Sequence, residues 1–332
     1  MKQPFCAVAN KQSGEDLVGT ASQYQTYVLI ECPTPWSAKA FESKPIPPAL
    51  RRYVQRIKAE RSVQFLLVSR GGSTISSDTT LIVYKQLLTV EGVVKTYRGC
   101  EFRLSGLEQV EACLDAYWKG DRIGKPIPQT DILICTHGTR DKCCACFGQP
   151  FFKNAVRSAR LGNLPNTRLW KVSHIGGHRF APTVITLPDG RYYGRLTLPA
   201  LESIVNRSGS IEQIQAVYRG WGVLPAPLQI LERKIFIEYG WSWFDKATTY
   251  RVLAETESEL IAEISVSDEA NQLAAAKWTE TKTYRARLTQ DHQGKVWTKL
   301  SCDHTATTPV VRYQIAECAV LEAAECVGKA AQ

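Results

Sequence analysis

The residues of this sequence best suited to chemistry are cysteines and histidines between positions 135 and 178. Four cysteines fall within CTHGTRDKCCACFGQPF, and two histidines follow within VSHIGGHRFAPTV. They are Cys135, Cys143, Cys144, Cys146, His174 and His178. So many sulfur donors in one short stretch, with imidazoles nearby, predict metal binding or redox chemistry.

The spacing of these residues indicates the size of the group that they could bind. Cys135 and Cys144 are nine positions apart, and His174 and His178 are four apart. A zinc knuckle normally places its cysteines about two to four residues apart, so the longer loop here fits an object larger than one ion. A cluster of two irons and two sulfides needs four ligands, and histidine can replace two of the cysteines.

The residues alone leave three alternatives open. One is a [2Fe-2S] cluster, and another is a structural zinc ion held by the same ligands. The third is thiol–disulfide chemistry, since Cys143 and Cys146 form a C-x-x-C motif. Two glycines, Gly176 and Gly177, lie between the histidines and allow the backbone to bend around a bound group.

Three runs, C-T-H-G-T-R-D-K-C-C, S-H-I-G-G-H-R-F and Y-Y-G-R-L, resemble the sucrase/ferredoxin-like family. The resemblance is specific over residues 130–198, weaker over 24–125, and extends to YRGWGVLPAPLQILE at 218–232. Members of this family are thioredoxin-like [2Fe-2S] proteins of bacteria, fungi and plants. The resemblance implies that two cysteines and two histidines hold the cluster: Cys135, Cys144, His174 and His178. Cys143 and Cys146 depart from the family pattern and rank second and third as alternatives to Cys144.

An electron carrier, rather than a stand-alone catalyst, is the expected function. Neutral imidazole ligands should raise the reduction potential and make it depend on pH. Arg140 and Arg179 flank the ligands and are candidates to stabilise the reduced state, or to form a salt bridge to Asp141. His137 is a candidate outer-layer donor rather than a ligand. No dinucleotide or P-loop motif is present, so we expect electrons to arrive from a reductase or an acidic ferredoxin.

Composition and charge predict a cytoplasmic protein, and its basic surface favours acidic partners. The 332 residues include eleven cysteines and carry a formal net charge of +9. No apolar run approaches the roughly 20 residues of a membrane span, and MKQPFCAVANKQSGED at residues 1–16 lacks the apolar stretch expected of a secretory signal. An odd cysteine count argues against a disulfide framework, and the scattered basic charge argues against nucleic acid. A predicted helix at 47–60 carries four basic residues that are a candidate docking surface, with a solvated outer face as the alternative: Arg51, Arg52, Arg56 and Lys58.

An α/β fold with two similar modules is predicted for most of the chain. Strands end at Cys32 and Cys135, and later strands end in VSRGG and VSHIGG after nearly equal intervals. Each module reads strand–loop–helix–strand–hairpin, which is a thioredoxin-like order. The predicted division is a flexible leader (1–20), a thioredoxin-like module without the cluster (21–125), a thioredoxin-like module carrying it (126–205) and an α+β extension (206–332).

The extension is predicted to begin with helices and to continue as strands. The sequence indicates helices over 210–221 and within the Pro-broken 224–244. Apolar and polar residues then alternate, which is typical of strands. The predicted strand segments are 251–266, 282–290, 295–302 and 310–322.

Overall fold

One mixed β-sheet runs through the computed structural model, which describes residues 5–71, 78–88, 93–268 and 282–321. Within these residues the sheet has fourteen strands, with helices packed beside it. The predicted α/β class is therefore confirmed. Gly72, one of the glycines used to compare the two modules, lies outside the described residues.

The first half of the sheet follows the predicted order of strands and helices. Its elements are β1 (Thr26–Glu31), α2 (Pro48–Glu60), β2 (Val63–Ser69), β3 (Thr79–Leu88), β4 (Val93–Leu104), α3 (Val110–Lys119) and the short β5 (Lys125–Pro126). Strand β1 is parallel to β2 and antiparallel to β3, and β3 is antiparallel to β4.

The second half repeats the same sequence of elements. It comprises β6 (Thr130–Cys135), α4 (Gln149–Arg160), β7 (Thr167–Val172), β8 (Val184–Leu187), β9 (Arg191–Tyr193) and α5 (Leu198–Asn206). Strand β6 is parallel to β7 and antiparallel to β8, and β8 is antiparallel to β9. The strand order is thus β2-β1-β3-β4 in one half and β7-β6-β8-β9 in the other.

The two halves meet at a short antiparallel pairing of their second strands. Val68 of β2 is opposite Val172 of β7, and Ser69 is opposite Lys171. This pairing makes the halves one continuous sheet and places the carboxyl ends of β2 and β7 next to each other. The loops after these strands, and the chain after β6, therefore approach one region of the molecule.

The chain after residue 206 forms α6 (Glu212–Gln215), β10 (Tyr218–Trp221), α7 (Ala226–Tyr239) and four antiparallel strands. The strands are β11 (Lys246–Glu255), β12 (Glu259–Asp268), β13 (Lys282–Thr298) and β14 (Thr308–Leu321). Thr248 and Thr249 of β11 pair with Val94 and Val93 of β4, which joins these strands to the main sheet.

Three sequence expectations in this part of the chain differ from the structure. The helix expected over 210–221 is short, because residues 218–221 pair with β9 as strand β10. The single strand expected over 251–266 is two strands joined by a turn. The segments 282–290 and 295–302 instead contribute to one long strand, β13. In each case the pairing between strands sets the type and the ends of the element, which the local sequence pattern does not determine.

The segment expected to be a flexible leader is packed into the protein over residues 5–20. Residues Cys6–Gln12 form α1, and Cys6, Leu17 and Val18 are buried. Glu15 is also buried and accepts hydrogen bonds from Arg179. An ion pair and apolar burial therefore hold this segment, although its sequence lacks a long amphipathic pattern. The other proposed boundaries, at 125/126 and 205/206, stay predictions.

Apolar side chains cover both faces of the sheet. In β1, Tyr27 and Leu29 belong to one core cluster, while Val28 and Ile30 belong to another. This alternation is the period-two pattern of a strand buried on both sides. Helix α2 buries its predicted apolar face in the second cluster, and α4 packs against the first. Among the described residues, no helix is both long and apolar enough to cross a membrane.

Candidate metal centre

Cys135 and Cys144 are held by the strand and the helix of the βαβ unit formed by β6, α4 and β7. Cys135 is the last residue of β6, and its N–H donates to the Thr183 carbonyl at 3.0 Å. Cys144 begins a π-helical turn, Cys144–Gly148, that leads into α4. A Cβ at Gly148 would lie 2.0 Å from the Cys135 carbonyl oxygen, so only glycine allows this turn to pack against the strand end.

His174 and His178 lie in the loop after β7. The preceding residue, Ser173, donates its N–H to the Leu67 carbonyl at 2.8 Å, which ties this loop to β2. Gly177 has a φ of 71°, a left-handed conformation that glycine adopts without strain. The bend brings the two imidazoles side by side, with ring centroids 5.1 Å apart.

The structure brings three of the four predicted ligands into a compact group. The candidate ligand atoms of Cys135, Cys144 and His174 all lie within 4.8 Å of one another. His178 is not one of that group, but its ring lies beside that of His174. The four candidate ligands therefore lie in one region, and His178 extends it beyond the compact group of the other three.

The two thiols influence each other's ionisation. A hydrogen bond from the Cys144 thiol, followed by the contribution of His174, lowers the pKa of Cys135 well below its usual value despite burial. The same contact raises the pKa of Cys144, because two adjacent thiolates would repel. A bound cation would remove this conflict, because it stabilises both thiolates.

Both imidazoles have a buried ring nitrogen without a partner. The Nδ1 atoms of His174 and His178 are buried and have no hydrogen-bond partner among the described residues. Nε2 of His178 lies 2.7 Å from the Leu300 carbonyl oxygen, and a carbonyl only accepts, so Nε2 carries the proton. The lone pair of His178 Nδ1 is then free to bind a metal. These orphaned nitrogens and the paired thiols fit a metal group with two sulfur and two nitrogen ligands.

His137 supports this loop and has no nitrogen left for a metal. Its Nδ1 accepts the His174 N–H at 3.1 Å, and its Nε2 donates to the Ser37 carbonyl at 2.8 Å. Burial lowers the pKa of His137, which favours the neutral ring that this arrangement needs. His137 therefore positions the backbone of His174.

Arginines lie around the histidine loop. Arg179 pairs with Glu15 at 2.8 Å rather than with Asp141, and Arg140 is exposed. Arg219 is buried and donates to the Gly176 carbonyl at 3.2 Å and to the Thr20 carbonyl at 2.6 Å. Burial lowers the pKa of Arg219 to about 10, and the charge of Cys135 opposes this shift. Sequence reasoning missed Arg219, although its position in YRGW lies within the extended resemblance.

The two alternative cysteine ligands lie elsewhere. Cys146 is exposed, and Cys143 contacts Cys6 and Cys302. With Asp141, these residues form what we call the three-cysteine group: Cys6, Cys143, Cys302 and Asp141. Sequence reasoning missed this group because Cys6 and Cys302 are almost 300 positions apart.

The sulfur side of the centre is closed and the imidazole side is more open. Cys135 and Cys144 are each 1 % exposed. His174 and His178 are half-buried, and the side chain of His178 is 16 % exposed. Solvent therefore approaches the centre most closely on the imidazole side.

One known protein matches part of this chain. Altered inheritance of mitochondria protein 32 of Meyerozyma guilliermondii is 29% identical to the chain over 99 residues, which are 27% of this chain and 34% of that protein. The chain thus matches about a third of the length of this relative. No solved structure matches the chain.

The family comparison covers a much longer part of the chain. The sequence profile of the sucrase/ferredoxin-like family matches residues 17–220, more than half of the 332 residues. The match includes both halves of the main sheet and all four candidate ligands. This chain belongs to the sucrase/ferredoxin-like family.

Proposed function

We propose that this protein transfers electrons through a [2Fe-2S] cluster held by Cys135, Cys144, His174 and His178. The observation that carries the proposal is the pair of orphaned, buried Nδ1 atoms of His174 and His178, together with the close grouping of His174 with the thiols of Cys135 and Cys144. A buried imidazole nitrogen without a partner is costly unless a ligand satisfies it. Four soft or borderline donors of this kind match the ligand set of a cluster with two cysteines and two histidines.

A group larger than one ion accounts best for the spread of the ligands. Three of them lie within 4.8 Å of one another, and the fourth ring lies beyond, next to His174. When bound, such a cluster supplies one-electron chemistry. The chain's own contribution is to bury the sulfurs, to hold the His178 tautomer through Leu300, and to leave the imidazole side near solvent.

We also propose that the two halves of the sheet are thioredoxin-like modules related by duplication. The support is their shared order of elements and the shared strand order, β2-β1-β3-β4 and β7-β6-β8-β9. In this proposal the first module has lost the ligands. It contributes Ser37, which accepts the hydrogen bond from His137, and so supports the centre in the second module.

An acidic redox protein, either a reductase or a ferredoxin, is the partner that we propose, in the cytoplasm. Three basic side chains of α2 are exposed, Arg52, Arg56 and Lys58, and the first two lie one helical turn apart on the same face. Charges of opposite sign steer redox partners together, and salt screens them. With a plant-type ferredoxin and its reductase as the electron source, we expect reduction to slow as salt rises, and to slow in Arg52→Glu/Arg56→Glu at low salt.

The decisive experiment measures iron, acid-labile sulfide, visible absorption and electron paramagnetic resonance on protein purified without oxygen. Wild type should carry about two irons and two sulfides per chain, with absorption that bleaches on reduction. Cys135→Ser should lose them, and Cys146→Ser is the matched control from the same loop. His178→Cys should keep the cluster at a lower potential, because a thiolate adds negative charge. Wild type without iron and sulfide would refute the proposal.

A structural zinc ion on the same ligands is the second candidate, favoured by how close Cys135, Cys144 and His174 lie. Zinc would give a colourless protein whose zinc content falls in Cys135→Ser. Thiol–disulfide chemistry at Cys143 and Cys146 is the third. It would be supported if alkylation of the exposed Cys146 abolished redox activity while the metal content stayed unchanged.

A further inference from the structure

The three-cysteine group joins three segments that are distant in sequence. Cys6 lies in α1, Asp141 and Cys143 lie in the loop before α4, and Cys302 lies between β13 and β14. One candidate ligand atom from each of these four residues lies within 4.8 Å of all the others. None of the four belongs to the ligand set proposed for the cluster, although Cys143 is the neighbour of Cys144.

The distances between the sulfurs fit coordination of a single ion. Cys143 Sγ lies 3.3 Å from Cys6 Sγ and 3.3 Å from Cys302 Sγ, and Cys302 Sγ lies 3.7 Å from Cys6 Sγ. Thiolates at zinc–sulfur distances of about 2.3 Å in a tetrahedron are about 3.8 Å apart. A disulfide bond would be about 2.05 Å. Three sulfurs arranged around one point at these spacings need only a small outward shift to hold an ion.

Asp141 is oriented to supply the fourth corner. Its Oδ1 lies 3.9 Å from Cys6 Sγ and accepts the Cys143 N–H at 2.8 Å. Its Oδ2 accepts the Ser301 hydroxyl and the Cys302 N–H, both at 3.1 Å. Hydrogen bonds of this kind fix the carboxylate and are the usual support of a metal ligand.

Burial makes a cation favourable at this point. Cys6 and Cys143 are fully buried and Asp141 is 3 % exposed, so the carboxylate is held among thiols away from bulk water. Ala7 donates its N–H to Cys143 Sγ at 3.4 Å, which would stabilise a thiolate there. Buried sulfur and oxygen donors without a cation would stay protonated or repel one another.

We propose that the three-cysteine group binds one zinc ion through the sulfurs of Cys6, Cys143 and Cys302 and one oxygen of Asp141. Zinc prefers four ligands in a tetrahedron and accepts both thiolate and carboxylate. Binding releases the thiol protons to solvent, and no electron is transferred. The ion would fasten α1 and the β13–β14 connection to the loop that carries Cys144, so it is a structural site beside the proposed redox centre.

The test measures zinc and iron separately in each variant, purified without oxygen and without metal-binding tags. We expect about one zinc per chain in wild type and in Cys144→Ser, which removes a ligand of the other centre. Cys302→Ser should lose that zinc and keep its iron. Its zinc affinity, measured against a chromophoric chelator, should fall at least about tenfold. Cys318→Ser, in β14, is the matched control and should keep both metals.

Cobalt provides a spectroscopic measurement of the three-cysteine group that does not depend on the folding of Cys302→Ser. Co²⁺ added to metal-free Cys144→Ser should give the strong sulfur-to-cobalt absorption of a tetrahedral site with three thiolates, and zinc should displace it. Weak absorption without thiolate bands would overturn the proposal. So would undiminished zinc in folded Cys302→Ser, or a disulfide between Cys143 and Cys6 or Cys302 in the anaerobic protein. Wild-type protein that carries no iron, but carries a zinc ion that Cys302→Ser lacks, would contradict the proposed redox centre and would still support the zinc site.

Discussion

The Nδ1 atom of His137 accepts a hydrogen bond from the backbone N–H of His174 at 3.1 Å. The other nitrogen of the same ring donates to the Ser37 carbonyl at 2.8 Å. One imidazole thereby connects the first half of the sheet to a candidate ligand in the second half. His137 therefore positions a candidate ligand and is not itself expected to bind the metal.

His137→Phe keeps an aromatic ring beside Trp36 but removes both hydrogen bonds. The Ser37 carbonyl and the His174 N–H would lose their partners, at about 1–3 kcal/mol each in the free energy of unfolding. We expect iron affinity to fall about 10- to 100-fold, as for other residues that support a ligand, without the complete loss expected for Cys135→Ser. Iron content and chelator competition check this. His292→Phe, at an exposed position, is the control. Equal and complete iron loss in His137→Phe and Cys135→Ser would mean that His137 is a ligand.

Gly177→Ala tests the bend between the two histidines. The φ of Gly177 is 71°, and a Cβ there would lie 2.7 Å from Cζ of Arg219. Arg219 is buried and held by Thr20 and Gly176, so it cannot move aside cheaply. We expect more than about 2 kcal/mol of destabilisation and loss of iron, since strain of about 1–2 kcal/mol adds to the clash.

The matched control for that substitution is Gly162→Ala. Gly162 has a similar φ of 83°, but a Cβ there would meet nothing within 4 Å. It should therefore show only the backbone strain of about 1–2 kcal/mol, with normal iron content. Denaturant unfolding and iron analysis of both variants measure the difference. If the two variants behave alike, the close contact with Arg219 does not control the histidine loop.

We expect the carboxylate of Glu15 to contribute to the free energy of unfolding in a way that depends on pH. Burial would raise the pKa of its carboxyl, but hydrogen bonds and charge from Arg179, with the charge of Arg312, hold the pKa below its usual value. A depressed carboxyl pKa adds stability above the unfolded-state value of about 4.3, and that stability is lost as the pH falls through the folded-state value. Glu15→Gln should therefore cost about 3 kcal/mol at pH 7 and progressively less below about pH 4.

Urea unfolding of wild type and Glu15→Gln at several pH values measures this difference. Glu42→Gln serves as the control, because Glu42 pairs with Lys39 at the surface and such pairs contribute about 0–1 kcal/mol. A stability difference between wild type and Glu15→Gln that is constant from pH 7 to pH 3 would contradict the assignment of the effect to the Glu15 carboxylate.

The buried carboxylate of Asp131 forms hydrogen bonds to both halves of the sheet, and we expect it to stabilise their junction. In β6, Asp131 accepts hydrogen bonds from Tyr84 of β3 at 2.7 Å, from Trp170 at 2.9 Å and from two nitrogens of Arg168. Asp131→Asn replaces an acceptor by a donor and removes the fully buried counter-charge of Arg168, which keeps only its ion pair with the less deeply buried Glu101. We expect a loss of about 3–5 kcal/mol in the free energy of unfolding.

The control for Asp131 is Asp115→Asn, because Asp115 accepts a hydrogen bond from Tyr53 at 2.8 Å in the first half. It should cost about 1 kcal/mol. Thermal unfolding followed by circular dichroism gives both values. A cost for Asp131→Asn no larger than that for Asp115→Asn would show that the buried network does not stabilise the junction between the halves.

The sequence by itself determined the α/β class, the family and the candidate ligands of the second half. Short continuous apolar runs marked β1 and β6, and the spacing of Leu50, Val54 and Ile57 marked the buried face of α2. These signals are local, because strand and helix periodicity is written in consecutive residues. Sequence motifs likewise singled out Cys135, Cys144, His174 and His178 without reference to their surroundings.

Only the tertiary structure decided which side chains face one another. It placed Cys144 with Cys135, moved Cys143 to a group with Cys6 and Cys302, and gave His137 its positioning contact. It also packed residues 5–20, which had been read as a flexible leader. Contacts across almost 300 positions leave no periodic trace in a sequence, because they depend on sheet pairing and burial that the whole chain creates.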